Sequence, residues 1–296
     1  MGSEMCIRDR YNIKMMNDFA ETKAFAKVNL TLDVLKKRAD GYHELSTIMQ
    51  TIDLYDELYA DFSHEDIAVT ADFDLPEGSV AYRAAHEYAR RTGCGGAHIK
   101  IRAHIPEMAG LGGSSADGAG VLRLMQRRYG AMSGAELYSL AAELGSDVPF
   151  LLHGATALCR GRGERIEPLP DINLCYLIVK PAEGISTRQL FSALTPPYGE
   201  GRSEQAAAAI RAGDTDALAA AVSNGLAKAA EKELGSIAEI KRRLKSAGAL
   251  AAEMSGSGSA CFGIFETLAQ AQRAAENFRD MAFCHTCAGI GNAEQM

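Results

Sequence analysis

The run Pro106-Glu-Met-Ala-Gly-Leu-Gly-Gly-Ser-Ser-Ala-Asp-Gly-Ala-Gly120 is where this 296-residue chain concentrates residues able to hold an anion. Before it, Ala97, Ile99, Ile101, Ala103 and Ile105 alternate with His98, Lys100, Arg102 and His104 as in a half-buried strand, and after it residues 121–125 are patterned as a helix. The first N–H groups of a helix carry partial positive charge and lack intrahelical partners, so strand, glycine loop and helix in this order point to phosphate. Two common phosphate loops are excluded. No Gly-x-x-x-x-Gly-Lys-Ser/Thr occurs, and Gly110 and Gly112 are followed by Ser115 where a dinucleotide fingerprint needs its third glycine. A flexible loop with a helix cap at Ser114 or Ser115 is the alternative reading.

Other side chains could supply reacting groups. Lys27 and Asn29 lie two apart in a segment that alternates from Thr22, with Ala24, Ala26, Val28, Leu30, Leu32 and Val34 on the opposite face. In a strand they must project the same way, although the solvent face of an edge strand would look identical. Arg38-Ala-Asp-Gly-Tyr-His43 reads as a turn on Asp40-Gly41 that displays Tyr42 and His43. Asp147, in Ser146-Asp-Val-Pro149, sits at a boundary stiffened by proline, where a carboxylate serves either as a helix cap or as a reacting group. A second glycine-serine run, Ser255-Gly-Ser-Gly-Ser259, is by itself an ordinary hairpin turn. Cys284-His-Thr-Cys287 has metal or redox spacing, but no second Cys or His pair completes a tetrahedral set, and seven scattered cysteines are no disulfide framework.

The elements that must position these groups follow from the pattern. Strands are expected from residue 22 to 34, 46 to 54 and 97 to 105, then a hairpin over 155–159 and 164–169. Helices are expected over 82–90, after the glycine loop, and from a capping box at Ser133 and Glu136 to Gly145. A composition change near 168–171 suggests a boundary, dividing the chain into an aperiodic, non-native or disordered leader (1–16), a first domain (17–170) and a second (171–296). The second holds a strand at 175–179, helices at 187–193, 203–212, 214–234 and 236–247, strands at 249–254 and 260–265, a helix at 268–279 and a strand at 282–288. A net charge of −7 argues against nucleic acid as a partner. No apolar run approaches bilayer length and no signal-peptide core precedes the first strand, which implies a cytoplasmic chain without membrane contact.

Three separated segments, Lys27-Val-Asn-Leu-Thr-Leu32, Pro106 to Gly120, and Ser255-Gly-Ser-Gly-Ser-Ala-Cys-Phe262, resemble in order and spacing the three motifs of the GHMP small-molecule kinases. The resemblance implies an α+β, two-lobed GHMP kinase fold: a ribosomal-protein-S5-like N-terminal domain that binds ATP, a ferredoxin-like C-terminal domain, and an active site between them. Ala26-Lys-Val-Asn-Leu30 with Arg38–His43 and Leu144-Gly-Ser-Asp-Val-Pro149 is similar to the branch whose alcohol substrate carries a cytidine diphosphate group.

Carried onto matching positions, the resemblance makes Asp147 the base that takes the hydroxyl proton and Lys27 the cation that steadies it and the developing charge. Asn29 would bind the alcohol moiety, and Tyr42, His43, Thr187 and Phe191 the cytidyl end. Pro106, Ala109, Gly110, Leu111, Gly112, Gly113 and Ser114 would wrap the triphosphate of ATP, and Ser115 would meet phosphate oxygens or Mg²⁺. Gly256, Ser257 and Gly258 would bring the second domain's backbone to the substrate. Four positions depart from the family pattern: Ser114 replaces a glycine, Ala116 a serine, Ser79 an asparagine and Ala103 a lysine. The expected assembly is a monomer or weak homodimer. A mevalonate- or homoserine-type kinase and a catalytically inert nucleotide- or sugar-binding member are the competing readings.

Overall fold

The computed structural model describes residues 14–196, 199 and 201–291. The alternation around Lys27 folds as β2 (Phe19–Lys37), which turns at Asp40-Gly41 into β3 (His43–Asp61). A short β1 (Lys14–Met16) pairs with the start of β2, so three residues of the expected leader are strand and the rest of it lies outside the described residues. β3 is long enough to serve two neighbours. Its end pairs with β5 (Ala97–Arg102), itself flanked by β4 (Ile67–Ala71), and its start pairs with β6 (Thr156–Gly161), which hairpins into β7 (Arg165–Pro168).

Four helices cover this sheet: α1 (Val80–Thr92), α2 (Gly113–Tyr129), α3 (Gly134–Leu144) and α4 (Val148–His153). The expected capping box is present at Ser133 and Glu136, and Ser79 caps α1 by accepting the N–H of Tyr82 at 3.2 Å. Every residue of α2 from Ala116 to Met125 is buried, because the helix runs through the middle of the core. Its glycines are there for contact: a Cβ on Gly118 would lie 2.5 Å from Val80, and one on Gly120 2.7 Å from Leu58.

The second sheet is antiparallel in the order β10 (Ala251–Met254), β11 (Cys261–Phe265), β8 (Cys175–Lys180), β12 (Phe283–Ala288). Helices α9 (Ser236–Ser246) and α10 (Leu268–Ala275) pack on it, as a ferredoxin-like lobe requires. Helix α5 (Thr187–Ala193) follows β8 with the expected bounds. Cys284 and Cys287 are free thiols within β12.

Two expectations are corrected and one alternative is set aside. The segment 214–234 is not one helix but α7 (Thr215–Ala221), a two-residue β9 (Ser223–Asn224) and α8 (Ala227–Glu233). The break is made by Asn224, whose buried amide donates to Met254 O and Gly256 O, both at 2.8 Å, while its oxygen accepts Leu226 N–H. Strand β5 stops at Arg102 because carboxylates take the next backbone donors: Asp72 binds Ala103 N–H, and Asp56 binds those of His104 and Ile105. The face bearing Lys27 and Asn29 is not a solvent edge, since both side chains are buried and β2 is paired on both sides.

The expected boundary at 170 does not divide the cores. Helices α6 (Arg202–Ala212) and α7 return to the first sheet, where Ala206, Ala207, Ile210 and Leu218 join the main core, and β9 runs parallel to β2. Asn224→Ala removes two donors from buried carbonyls, each worth about 1–3 kcal/mol when left unpaired. We expect a lower urea midpoint with an unchanged slope; an unaltered midpoint would show that the break between α7 and α8 is held by other groups.

Candidate active site

Lys27 organises the site. Its ammonium is buried on β2 and donates to Asn29 Oδ1 at 2.6 Å and to Gly110 O at 2.7 Å, and Asp147 Oδ2 lies 3.5 Å away. Asn29 is consumed in turn: its amide donates to Thr47 Oγ1 at 2.8 Å, so its first task is to aim Lys27. The backbone N–H of Lys27 donates to Leu111 O at 2.9 Å, which ties β2 directly to the glycine loop. Asp147 occupies the position before α4, yet its carboxylate caps nothing and is turned toward Lys27. The cap alternative for Asp147 is therefore set aside by geometry.

The glycine loop reaches α2 without a side-chain cap. Gly112, with φ +80°, is the residue before the helix, so the cap by Ser114 or Ser115 that the alternative reading required is not formed. Both serines lie in the first turn of α2 with helical backbone, which is why a β-carbon at 114 is tolerated. The uncapped N–H groups, with the partial positive charge of a 17-residue helix behind them, open on the cavity.

The second loop closes over the first. Ser255 Oγ donates to Gly110 O at 3.0 Å, Ser259 N–H to Met108 O at 3.0 Å and Ala260 N–H to Ala109 O at 3.2 Å. Nothing larger than hydrogen fits at the crossing. A Cβ on Gly110 would lie 2.0 Å from Ser255 O, and one on Gly256 would lie 2.9 Å from Gly110 O and 3.1 Å from Lys27 Nζ. Ser257 and Thr187 share a hydrogen bond of 2.6 Å, which joins this loop to the start of α5.

Away from Lys27 the cavity becomes aromatic. His43 and Phe191 stack with ring centroids 5.2 Å apart at 28°, and the guanidinium of Arg162 lies 5.0 Å over the Tyr42 ring. Burial, with a smaller push from the charge of Lys37, lowers the His43 pKa, so the neutral ring is favoured at pH 7. The turn bearing these residues is braced by Arg38, which pairs with Asp40 and with Glu44 at 2.9 Å, while Asp40 accepts the N–H of Tyr42 at 3.1 Å.

One cavity of about 1530 Å³ is lined by every residue to which the resemblance gives a role: Lys27, Asn29, Tyr42, His43, Pro106, Ala109 to Ser115, Asp147, Thr187, Phe191 and Gly256 to Gly258. The departures Ser79 and Ala103 line it as well. Sequence reasoning missed Ser255, whose hydroxyl links Asn29 to Gly110, and Asn224, which holds the loop around Gly256. The only signal for Asn224 was Ser-Asn-Gly inside an alanine-rich stretch. Asp56, on the cavity wall, carried no signal.

Residues 79–155 match the family described as GHMP kinases N terminal domain, and residues 206–282 match GHMP kinases C terminal. The chain is 43% identical over 268 residues to a 4-diphosphocytidyl-2-C-methyl-D-erythritol kinase of Pelotomaculum thermopropionicum, covering 86% of this chain and 92% of that one. It is 40% identical to the kinase of the same name from Caldicellulosiruptor saccharolyticus, covering 87% and 92%. A crystal structure of 4-(cytidine 5'-diphospho)-2C-methyl-D-erythritol kinase superposes with a TM-score of 0.81 at 35% identity, over 92% of this chain and 100% of that one. A homoserine kinase from Cytophaga hutchinsonii shares the fold, with a TM-score of 0.73 at 18% identity over 94% and 96%.

The contact between the loops gives a paired test. Gly41→Ala and Gly110→Ala both place a side chain at positive φ, φ +86° and φ +71°, but only the second meets another atom. Gly41→Ala should cost the conformational term alone, about 1–2 kcal/mol, and Gly110→Ala clearly more in urea unfolding. Equal losses would mean that the two loops part easily.

Proposed function

The chain belongs to the GHMP kinases, and we propose that it transfers the γ-phosphoryl group of ATP to the 2-hydroxyl of 4-diphosphocytidyl-2-C-methyl-D-erythritol, a step of non-mevalonate isoprenoid precursor biosynthesis. The observation that carries this reading is the placement of the Lys27–Asp147 pair, 3.5 Å apart, in the same cavity as an uncapped helix N-terminus and the stacked His43–Phe191 rings. Phosphoryl transfer asks mainly for an aligned nucleophile and compensation of charge on the transferred group. The N–H groups of α2 and the glycine loop supply compensation from one side and Lys27 from the other. Asp147, which makes no cap, accepts the proton of the attacking hydroxyl while Lys27 holds its carboxylate in place.

Mg²⁺ favours hard oxygen ligands and keeps much of its shell for water and phosphate, so a site needs few protein donors. The Ser115 hydroxyl is such an oxygen on the cavity wall and would hold the ion, whose charge would offset that of the β- and γ-phosphates. The cytosine ring fits the aromatic end. Phe191 and Tyr42 offer π-faces, and a neutral His43 can both donate and accept a hydrogen bond at the base edge. This end separates the reading from a mevalonate- or homoserine-type kinase, whose substrates have no base to hold. The retained base and cation argue against an inert member. The groups assigned a role here all come from one chain, which favours a monomer, and the use of ATP favours a cytoplasmic location; among the described residues no helix is long and apolar enough to cross a membrane.

Turnover of ATP with the cytidyl alcohol, run beside mevalonate and homoserine, tests the assignment. Phosphorylation is expected with the first alone, and Asp147→Asn should lower kcat about a thousandfold, the scale of a lost general base. Undiminished turnover would remove Asp147 from the mechanism. His43→Ala should raise KM for the cytidyl alcohol about tenfold, the equivalent of one good contact, and leave KM for ATP unchanged. A rise in the ATP value instead would move the cytosine to another wall of the cavity.

A further inference from the structure

Outside the cavity, one set of described side chains has the composition of a metal site: His64, Asp66 and His98, whose ligand atoms all lie within 4.8 Å of one another. His64 and Asp66 belong to the connection between β3 and β4, and His98 to β5. The fold brings them to one point. His98 stands opposite Asp61 in the ladder of β3 with β5, and opposite Ala68 of β4 on its other side. The connection is pinned to the start of β5, since Asp66 O accepts Ala97 N–H at 2.9 Å and a Cβ on Gly96 would lie 2.3 Å from that same oxygen. Two of the three donors, Asp66 and His98, are therefore carried on fixed backbone, as a built site requires.

The side chains are already paired. His98 Nε2 and Asp66 Oδ1 share a hydrogen bond of 2.8 Å, Asp61 Oδ2 lies 3.3 Å from His64 Nε2, and the two imidazole rings stack with centroids 3.5 Å apart at 4°. Asp61 is held in turn by Ser63, whose N–H donates to Oδ1 at 3.0 Å and whose hydroxyl donates at 2.7 Å. A carboxylate on one ring nitrogen fixes the tautomer and leaves the lone pair on the other, which is the usual support behind a metal-bound histidine. The run Asp61-Phe-Ser-His-Glu-Asp66 holds three carboxylates and no lysine or arginine, so its field attracts a cation.

We propose that His64, His98 and Asp66 bind a divalent ion of the zinc type, with Asp61 supporting His64 from behind. Two imidazoles and one carboxylate favour such borderline ions over Mg²⁺ and Ca²⁺, which take oxygen ligands. Ligand atoms each about 2.1 Å from a tetrahedral zinc stand about 3.4 Å apart, so the set closes by a small inward movement. The ion takes the place of the hydrogen bond between His98 and Asp66, and the ring proton of His98 moves to Nδ1. Because ring lone pairs lie in the ring planes, coordination fans the two imidazoles out of their stack; at 41% and 37% exposure both have room. Water fills the fourth position. The ion then clips the β3–β4 connection to β5, and its binding stabilises the edge of the sheet that β4 forms.

Zinc titrated into the full chain against a chromophoric chelator, without nucleotide, tests the site. Wild type should bind with a site that is lost in His64→Ala and in His98→Ala, and whose affinity falls about tenfold in Asp61→Asn. One equivalent of zinc should raise the melting temperature of wild type above its value in EDTA, and that of neither histidine variant. The histidines stand on different elements, so one variant serves if the other does not fold. Zinc held as tightly by both histidine variants, as free thiols such as Cys94 or Cys284 would hold it, overturns the proposal. A wild type that binds no zinc overturns it too, as does displacement of the zinc by excess Mg²⁺. Unaltered affinity in Asp61→Asn overturns the role given to Asp61.

Discussion

A buried ammonium has to be hydrogen-bonded, and the burial of Lys27 sets the terms for everything around it. At 3% exposure, the Lys27 ammonium finds its partners in Asn29 Oδ1, Gly110 O and Asp147. Those acceptors come from different parts of the chain: β2 itself, the glycine loop, and the start of α4. The same demand explains residues that make no bond to the ammonium. A Cβ at Gly112 would lie 3.2 Å from the Lys27 side chain and one at Gly256 3.1 Å from Nζ, so both loops must present bare backbone there. Glycine at these points answers to positive φ and to close neighbours that include this lysine, Leu151 at Gly112 and Gly110 O at Gly256.

The second lobe is drawn in by the same contact. Gly110 O accepts from Lys27 and from Ser255 Oγ, so one carbonyl joins the strand that carries the cation to the hairpin of the other sheet. Asn224 then fixes that hairpin from behind through Met254 O and Gly256 O, and β9, which carries it, is held on β2. The chain thus returns to its first strand to set the position of its last motif. A helical connection over 214–234 could not have done this, because Asn224 needs its backbone in an extended run beside Leu32.

Local pattern made most of the fold and much of the site legible. Period-two alternation put Lys27 and Asn29 on one face, and Ser133 with Glu136 marked the start of α3. What it could not reveal was burial, since alternation looks the same on a solvent edge and on a polar face covered by a second loop 226 residues away. The end of β5 was hidden for a similar reason: it is imposed by Asp56 and Asp72, carboxylates on other strands and loops that capture N–H groups the ladder would have used. The missing cap of α2 is the most informative departure. Local propensity favours a serine cap, and the structure leaves the N–H groups open, which is a cost a folded protein bears where a ligand will take them.

Charge is the remaining difficulty for a site that must hold a triphosphate and a cytidine diphosphate together. Lys27, Lys37, Arg162 and Arg188 line the cavity, but so do Asp40, Asp56, Asp74, Glu107, Asp117 and Asp147. By side chains alone the cavity of this acidic protein is no cradle for anions. Two features work against that balance. Arg38 pairs with Asp40 from outside the cavity, and the backbone amides of α2 point inward uncapped. A site with few cations therefore relies on fixed dipoles, and these depend on the glycine loop keeping its shape around Lys27.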